Sequence, residues 1–179
     1  MSLIREYIRT SLIAEYSHAP RPGKRNIYRG MKITMPSAKL AGLVRKYVRT
    51  RDASVISPNE LARLVLGQLQ NESIGESWSL DFGVAANFAG AWEATNRGKQ
   101  LYVIFQAVVD EEAGYDPQAA DEEPDMFYDE SEIRFKPGTE IPLTGIYVFI
   151  KSKNQYAKQR SQYFPLIKKV QGNPMMVKA

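Results

Sequence analysis

The run Glu132-Ile133-Arg134-Phe135-Lys136 alternates apolar and polar side chains without a break, the period of a strand with one buried face. The same reading applied along the chain predicts the other elements. Ile4, Ile8 and Leu12 recur at helical spacing and predict a helix over residues 3 to 16, followed by a loop at Pro20-Arg21-Pro22-Gly23. A short strand spans Asn26 to Met31, and Leu40, Leu43, Val44 and Tyr47 line one face of a helix from Ala38 to Arg49. Ser57-Pro58-Asn59-Glu60 has the form of a capping box with proline at the first helical position, so a helix runs from there to about Gln70.

Ser77 to Leu80 reads as a strand, Phe82 to Ala94 as a helix packing Val84, Ala85, Phe88 and Trp92, and Gln100 to Val109 as a buried strand. A long loop from Glu111 to Asp129 leads to the Glu132 strand, and Pro137-Gly138 suits the centre of a type II turn. A strand from Gly145 to Lys151 and an edge strand within Tyr163 to Val170 complete the pattern. Helices gathered early and strands late, with no regular βαβ alternation, predict an α+β fold.

The 179 residues suit a single domain over 1–179, and no apolar run reaches the roughly 20 residues that cross a bilayer. Charges interrupt the apolar stretch at the start, so no secretory signal is expected there. The absence of cysteine excludes disulfides and thiolate chemistry and fits a reducing cytoplasm. One histidine, His18, leaves no material for His-based triads or multi-histidine metal sites, and neither a Gly-x-Gly-x-x-Gly nor a Walker loop is present. Charge is unevenly spread. Of the 20 acidic residues eleven lie between Asp110 and Glu132, a stretch with no Lys or Arg, which leaves the other nine against all 24 basic residues. A basic body suits a polyanion such as a pyrophosphate, and an acidic loop suits a cationic partner surface.

That acidic run ends in Glu130-Ser131-Glu132, two carboxylates one pleat apart, so both project from the polar face. Upstream stand Arg29, in Ile27-Tyr28-Arg29-Gly30, and the serines of Ser77-Trp78-Ser79. This ordered set resembles the arginine-serine-glutamate class of mono-ADP-ribosyltransferases, of bacterial toxin or phage type. The likeness extends to the flanks. Ser77 through Ala89 resembles that family's Ser-Thr-Ser strand and Ala-x-x-Phe-Ala helix, and Glu130 through Phe135 with Pro137-Gly138-Thr139 its Glu-x-Glu strand and turn, so the match covers residues 27 to 149. The resemblance implies two small, mostly antiparallel sheets packed across each other, with N-terminal helices around an NAD cleft.

It also implies roles. NAD would be consumed as a substrate, with no metal. Glu132 would bond the ribose 2′-hydroxyl and stabilise positive charge developing on the sugar, while Glu130 would orient the acceptor guanidinium and take its proton. A glutamate rather than a glutamine at 130 implies arginine as acceptor. Arg29 would hold the phosphate and ribose region, Gly30 would permit backbone approach to the nicotinamide amide, Ser77 would orient the catalytic glutamate and Ser79 buttress the strand. Phe88 would lie against the nicotinamide ring, and Phe127 and Tyr128 would meet the acceptor. Crowded acidic neighbours would raise the pKa of Glu130.

Two departures stand out. Trp78 replaces the family's middle threonine, and Ala91 stands where toxin members place a phosphate-binding arginine, for which Arg97 or Lys99 are the nearest cations. The expected partner is a target protein with an accessible arginine on a basic surface, in the cytoplasm of the producing or infected cell. An NAD glycohydrolase, a nucleic-acid acceptor and a non-catalytic interaction domain on the same fold are the alternatives.

Overall fold

A computed structural model describes residues 22–69, 73–90, 93–115, 132–152, 162–167 and 175–179. The expected helix over residues 3 to 16, the greater part of the acidic loop, and Glu130, Phe127 and Tyr128 lie outside them.

The architecture is α+β with a mostly antiparallel sheet. Seven strands, β1 (Lys24–Thr34), β2 (Ser77–Ser79), β3 (Gln100–Asp110), β4 (Glu132–Arg134), β5 (Glu140–Ile150), β6 (Gln162–Ile167) and β7 (Met175–Lys178), accompany helices α1 (Ala38–Thr50), α2 (Pro58–Leu66) and α3 (Phe82–Phe88). The strand order is β4-β2-β1-β3-β5-β6, with β7 paired to β5. Where two sheets were expected, hydrogen bonds join all seven strands into one. The reason is β1, which pairs with β3 over its whole length from Lys24↔Asp110 to Thr34↔Gln100 and still meets β2 at Tyr28↔Ser79. Further backbone bonds tie its segments together: Lys178 accepts from the Ile74 backbone at 3.0 Å, and Ala179 bonds Gly138 and Thr139, each at 2.9 Å. The last strand thus ties the segment before β2 to the turn after β4.

Alternation assigns the two faces. Ile27, Ile33, Trp78, Val103, Phe105, Ile133, Leu143 and Val148 enter one large core that also takes Val44, Val48, Leu61 and Val65 from α1 and α2. Tyr28, Ile104, Tyr147 and Tyr163 face the other way and pack with Phe82, Ala85 and Ala86 of α3. Being covered on both faces, β3 is buried almost throughout, which explains its near-continuous apolar sequence. Among the described residues no helix is long and apolar enough to cross a membrane.

The helix starts follow from their caps. Ser37 accepts from the Leu40 backbone at 3.2 Å, and Ser57 and Glu60 form the expected reciprocal box, Glu60 N–H to Ser57 Oγ at 3.2 Å and Ser57 N–H to Glu60 Oε2 at 2.9 Å. Ser57→Ala removes that acceptor, and the expected result is a melting temperature lower by about 3 °C in a thermal unfolding scan.

Several boundaries differ from expectation, among them the end of α2 at Leu66 instead of about Gln70 and the extension of β1 to Lys24–Thr34 from Asn26 to Met31. The third helix stops at Phe88 instead of Ala94, because Gly90 at φ 71° turns the chain into the left-handed region that ends helices. β5 begins at Glu140 instead of Gly145. Pro142 is tolerated there because it lies one residue outside the pairing to β3, which stops at Ala107↔Leu143. β7 was not anticipated, since its four residues bury only Val177. Gly138, at φ 80°, occupies the expected turn, closed by Thr139 N–H to Lys136 O at 3.0 Å.

Candidate active site

The cross-strand register lines up the expected residues. Tyr28 faces Ser79, Ser79 faces Glu132, and one pleat along Ser77 faces Arg134. Residues directly opposite share a face, so Tyr28, Ser79 and Glu132 form one row across three strands, with Ser77 and Arg134 in the next. α3 lies against this face, held by Asp81, whose carboxylate accepts from the Gly83 and Val84 backbones at 2.6 and 3.3 Å. Between helix and strands runs a small open cleft, walled by Val84, Ala85 and Phe88 and floored by Arg29, Gly30, Ser77, Ser79 and Glu132.

Glu132 is the charged centre of the cleft. Burial alone would raise its pKa, but the Ser77 hydroxyl donates to it, Arg134 Nε donates to Oε1 at 2.9 Å, and the Arg29 charge lies nearby. Together they outweigh burial and hold the carboxyl below the usual range. Ser77 and Glu132 thus line the same cleft. Ser79 is buried, its Oγ accepting from the Asp81 backbone at 2.9 Å, which braces the strand at its turn into α3.

Arg29 occupies the gap where β1 and β2 part beyond Tyr28↔Ser79. Its Nη1 donates to the Ser77 carbonyl at 2.5 Å, its Nε is buried without a partner among the described residues, and Gly75 at φ 87° makes room for Nη2. A Cβ at Gly75 would lie only 3.0 Å from Nη2. Burial lowers the Arg29 pKa and the Glu132 charge acts against that shift. Arg29 thus positions the strand that carries Ser77, in addition to lining the cleft.

Trp78, the departure at the middle position, points to the opposite face. It is 1% exposed within the large core, and its Nε1–H reaches the Gly75 carbonyl at 3.2 Å. Enlarging that residue therefore fills the core and leaves the serine face unchanged. Phe88 is not a core residue despite its helical spacing: it is 59% exposed at the cleft wall, where a flat ring of a ligand could stack. Gly30 has a packing reason that the sequence could not supply, since a Cβ there would fall 1.7 Å from the Ala85 carbonyl oxygen of α3.

α1 and α2 do not border the cleft. They pack on the far face of the sheet, so the wall expected from N-terminal helices is supplied, among the described residues, by α3. Two neighbours escaped the sequence reading. Tyr28 is buried beside Phe82, ring centroids 5.3 Å apart, with its hydroxyl pKa pushed up to about 12 by burial and then by Asp81. Arg134 was legible as a residue on the glutamate face of the strand, but its grip on Glu132 was not.

Chemically, the cleft offers an ionised, partly desolvated carboxylate steadied by a hydroxyl and flanked by guanidinium groups. Such a group can oppose positive charge forming on a bound molecule and can accept a hydrogen bond from a hydroxyl. No group of three or more His, Asp or Glu converges to hold a metal ion among the described residues. Comparison with protein-family models, with curated proteins and with solved structures returns no match for this chain, so the reading of the cleft rests on its residues and their geometry.

Proposed function

We propose that this chain transfers ADP-ribose from NAD to arginine side chains of a target protein, releasing nicotinamide. The observation that supports this reading best is the Ser77–Glu132 pair on the cleft face beside Arg29, with Gly30 and Phe88 bordering the same space. In the reaction the bond between nicotinamide nitrogen and ribose C1′ breaks, its electron pair leaving with nicotinamide. The sugar becomes oxocarbenium-like. Glu132 accepts a hydrogen bond from the ribose 2′-hydroxyl and opposes the charge that develops. A guanidinium nitrogen of the target then bonds C1′, and its proton passes to Glu130.

On this reading the sheet corresponds to the two-sheet core of the ADP-ribosyltransferases. Phe127, Tyr128 and the acidic segment around them meet a basic target surface, in the cytoplasm of the cell whose proteins are modified, whether reached by a toxin or a phage.

The test follows label from NAD into a cell lysate and into a small guanidino acceptor. The native protein is expected to label both, and Glu130→Gln to lose labelling while still releasing nicotinamide. NAD cleavage without any labelled acceptor would make the protein a glycohydrolase instead. No NAD turnover at all would leave a binding domain as the better reading.

A further inference from the structure

We propose that Arg134 is a positioning residue for the transfer reaction, fixing the orientation and the charge of the Glu132 carboxylate in the cleft. The inference rests on the reading of Glu132 given above, and the geometry is independent of it. Arg134 follows Glu132 by two residues, so the two side chains leave the same face of β4, and Nε reaches Oε1 at 2.9 Å. The pair is partly withdrawn from water, with 20% of the Glu132 side chain and 41% of the Arg134 side chain exposed. A charge-assisted bond so placed is stronger than one between freely hydrated side chains.

The backbone that carries Arg134 is clamped on both sides. On one side it pairs with Ser77 of β2. On the other, Arg134 and Tyr115 exchange backbone hydrogen bonds of 2.8 and 2.9 Å. That second clamp needs Gly114, at φ 75°, because a Cβ there would lie 2.6 Å from the Ile133 side chain and 2.7 Å from the Arg134 carbonyl. The guanidinium is therefore built on a rigid strand, the condition for a neighbour to orient a catalytic group to within a fraction of an ångström. Glutamate has three rotatable side-chain bonds. With Arg134 removed, the Ser77 hydroxyl and the Arg29 charge would be left to act on it among the described residues.

The groups around Glu132 make the charge effect separable. Arg134 of β4 and Arg29 of β1 act to lower its pKa, and the Ser77 hydroxyl of β2 donates to it. β2 carries no charge, nor does α3 from Phe82 to Phe88, and Asp81 at the start of that helix acts on Tyr28. Glu130 is present in every variant below, so its influence cancels in the comparison.

The experiment compares wild type with Arg134→Leu and Arg134→Lys in nicotinamide release from NAD across pH. Arg134→Leu is expected to lower kcat about tenfold with KM for NAD changed less than about twofold, and to move the acidic limb of the kcat profile to higher pH. The sign follows from the carboxylate: a group whose pKa is held down stays ionised to lower pH, and loses that range when the holding charge is removed. Arg134→Lys keeps a cation without the Nε donor, so the acidic limb should return toward wild type while kcat stays low. An unchanged kcat and limb in Arg134→Leu, or a kcat that rises, would overturn the proposal.

A second readout needs no turnover. The Glu132 carboxyl carbon, assigned by its loss in Glu132→Gln, is titrated by NMR in carbon-13-labelled protein without NAD. A midpoint below that of ordinary glutamates in wild type, raised in Arg134→Leu, supports Arg134 as the holding group even if no NAD is cleaved, in which case only the functional reading fails. Identical titrations in the two proteins overturn it.

Discussion

Glu132→Gln is expected to reduce nicotinamide release from NAD by at least about 10²-fold in kcat, equivalent to roughly 3 kcal/mol of transition-state stabilisation. The amide has nearly the shape of the carboxylate and can still pair with Ser77 and Arg134, so the strand register Ser79↔Glu132 should survive. What it lacks is charge. In the proposed reaction a positive sugar ring forms only in the transition state, so removing the opposing charge should lower kcat with little change in KM. Glu132→Asp restores the charge one methylene short of its place. Because a misplacement of about 1 Å can cost 10²-fold, it is expected to recover only a small part of the loss. The measurement is nicotinamide release by chromatography, beside a melting curve for each variant. Full turnover in Glu132→Gln would remove the chemistry from this strand altogether.

The sequence pattern carried those parts of the fold that depend on local chemistry. The capping box at Ser57, the turn at Gly138 and the alternation that sends Trp78 and Ile133 inward while Ser77, Ser79 and Glu132 face the cleft are written in consecutive residues. What depends on other segments was not legible. The strand expected from Gly145 in fact begins at Glu140 and runs through Pro142, whose tolerance depends on where the β3 pairing ends. The tie made by β7 is set by backbone bonds, Ile74 N–H to the Lys178 carbonyl and Ala179 N–H to the Thr139 carbonyl, which leave no side-chain signature. Within the cleft the structure brings Arg29, Ser77 and Glu132 together, whereas the bond from Arg29 to a backbone carbonyl requires knowing where β1 and β2 part, and the bond from Arg134 to Glu132 requires the side-chain geometry of β4. For Glu130, Phe127 and Tyr128 the sequence remains the source of the assignment.

Gly30→Ala should be strongly damaging, because among the described glycines its added Cβ would make the closest contact, and the outcome decides between two explanations of that glycine. The resemblance assigns it to close approach by nicotinamide, in which case a methyl group would raise KM and leave the unliganded protein as stable as before. Packing assigns it to α3. The added Cβ would lie 1.7 Å from the Ala85 oxygen and 2.7 Å from both the Ala85 carbonyl carbon and the Ala89 nitrogen, all backbone atoms that no rotamer change can move. The helix must lift as a body. Lifting it separates Phe82 from the edge-on rings of Tyr28, Tyr147 and Tyr163, at 5.3, 5.6 and 5.6 Å, and withdraws the Val84, Ala85 and Phe88 wall from Glu132. Overpacking of this kind costs about 3 kcal/mol, so the melting temperature without NAD should fall by roughly 10 °C and turnover should be lost with it. Gly42→Ala is the control. It lies inside α1 with nothing within 4 Å of its added Cβ, and alanine there should raise the melting temperature by relieving the helix of a glycine. A Gly30→Ala protein that melts like wild type but binds NAD weakly would return this glycine to the ligand, and with it the view of α3 as a wall fixed by backbone contact would fall.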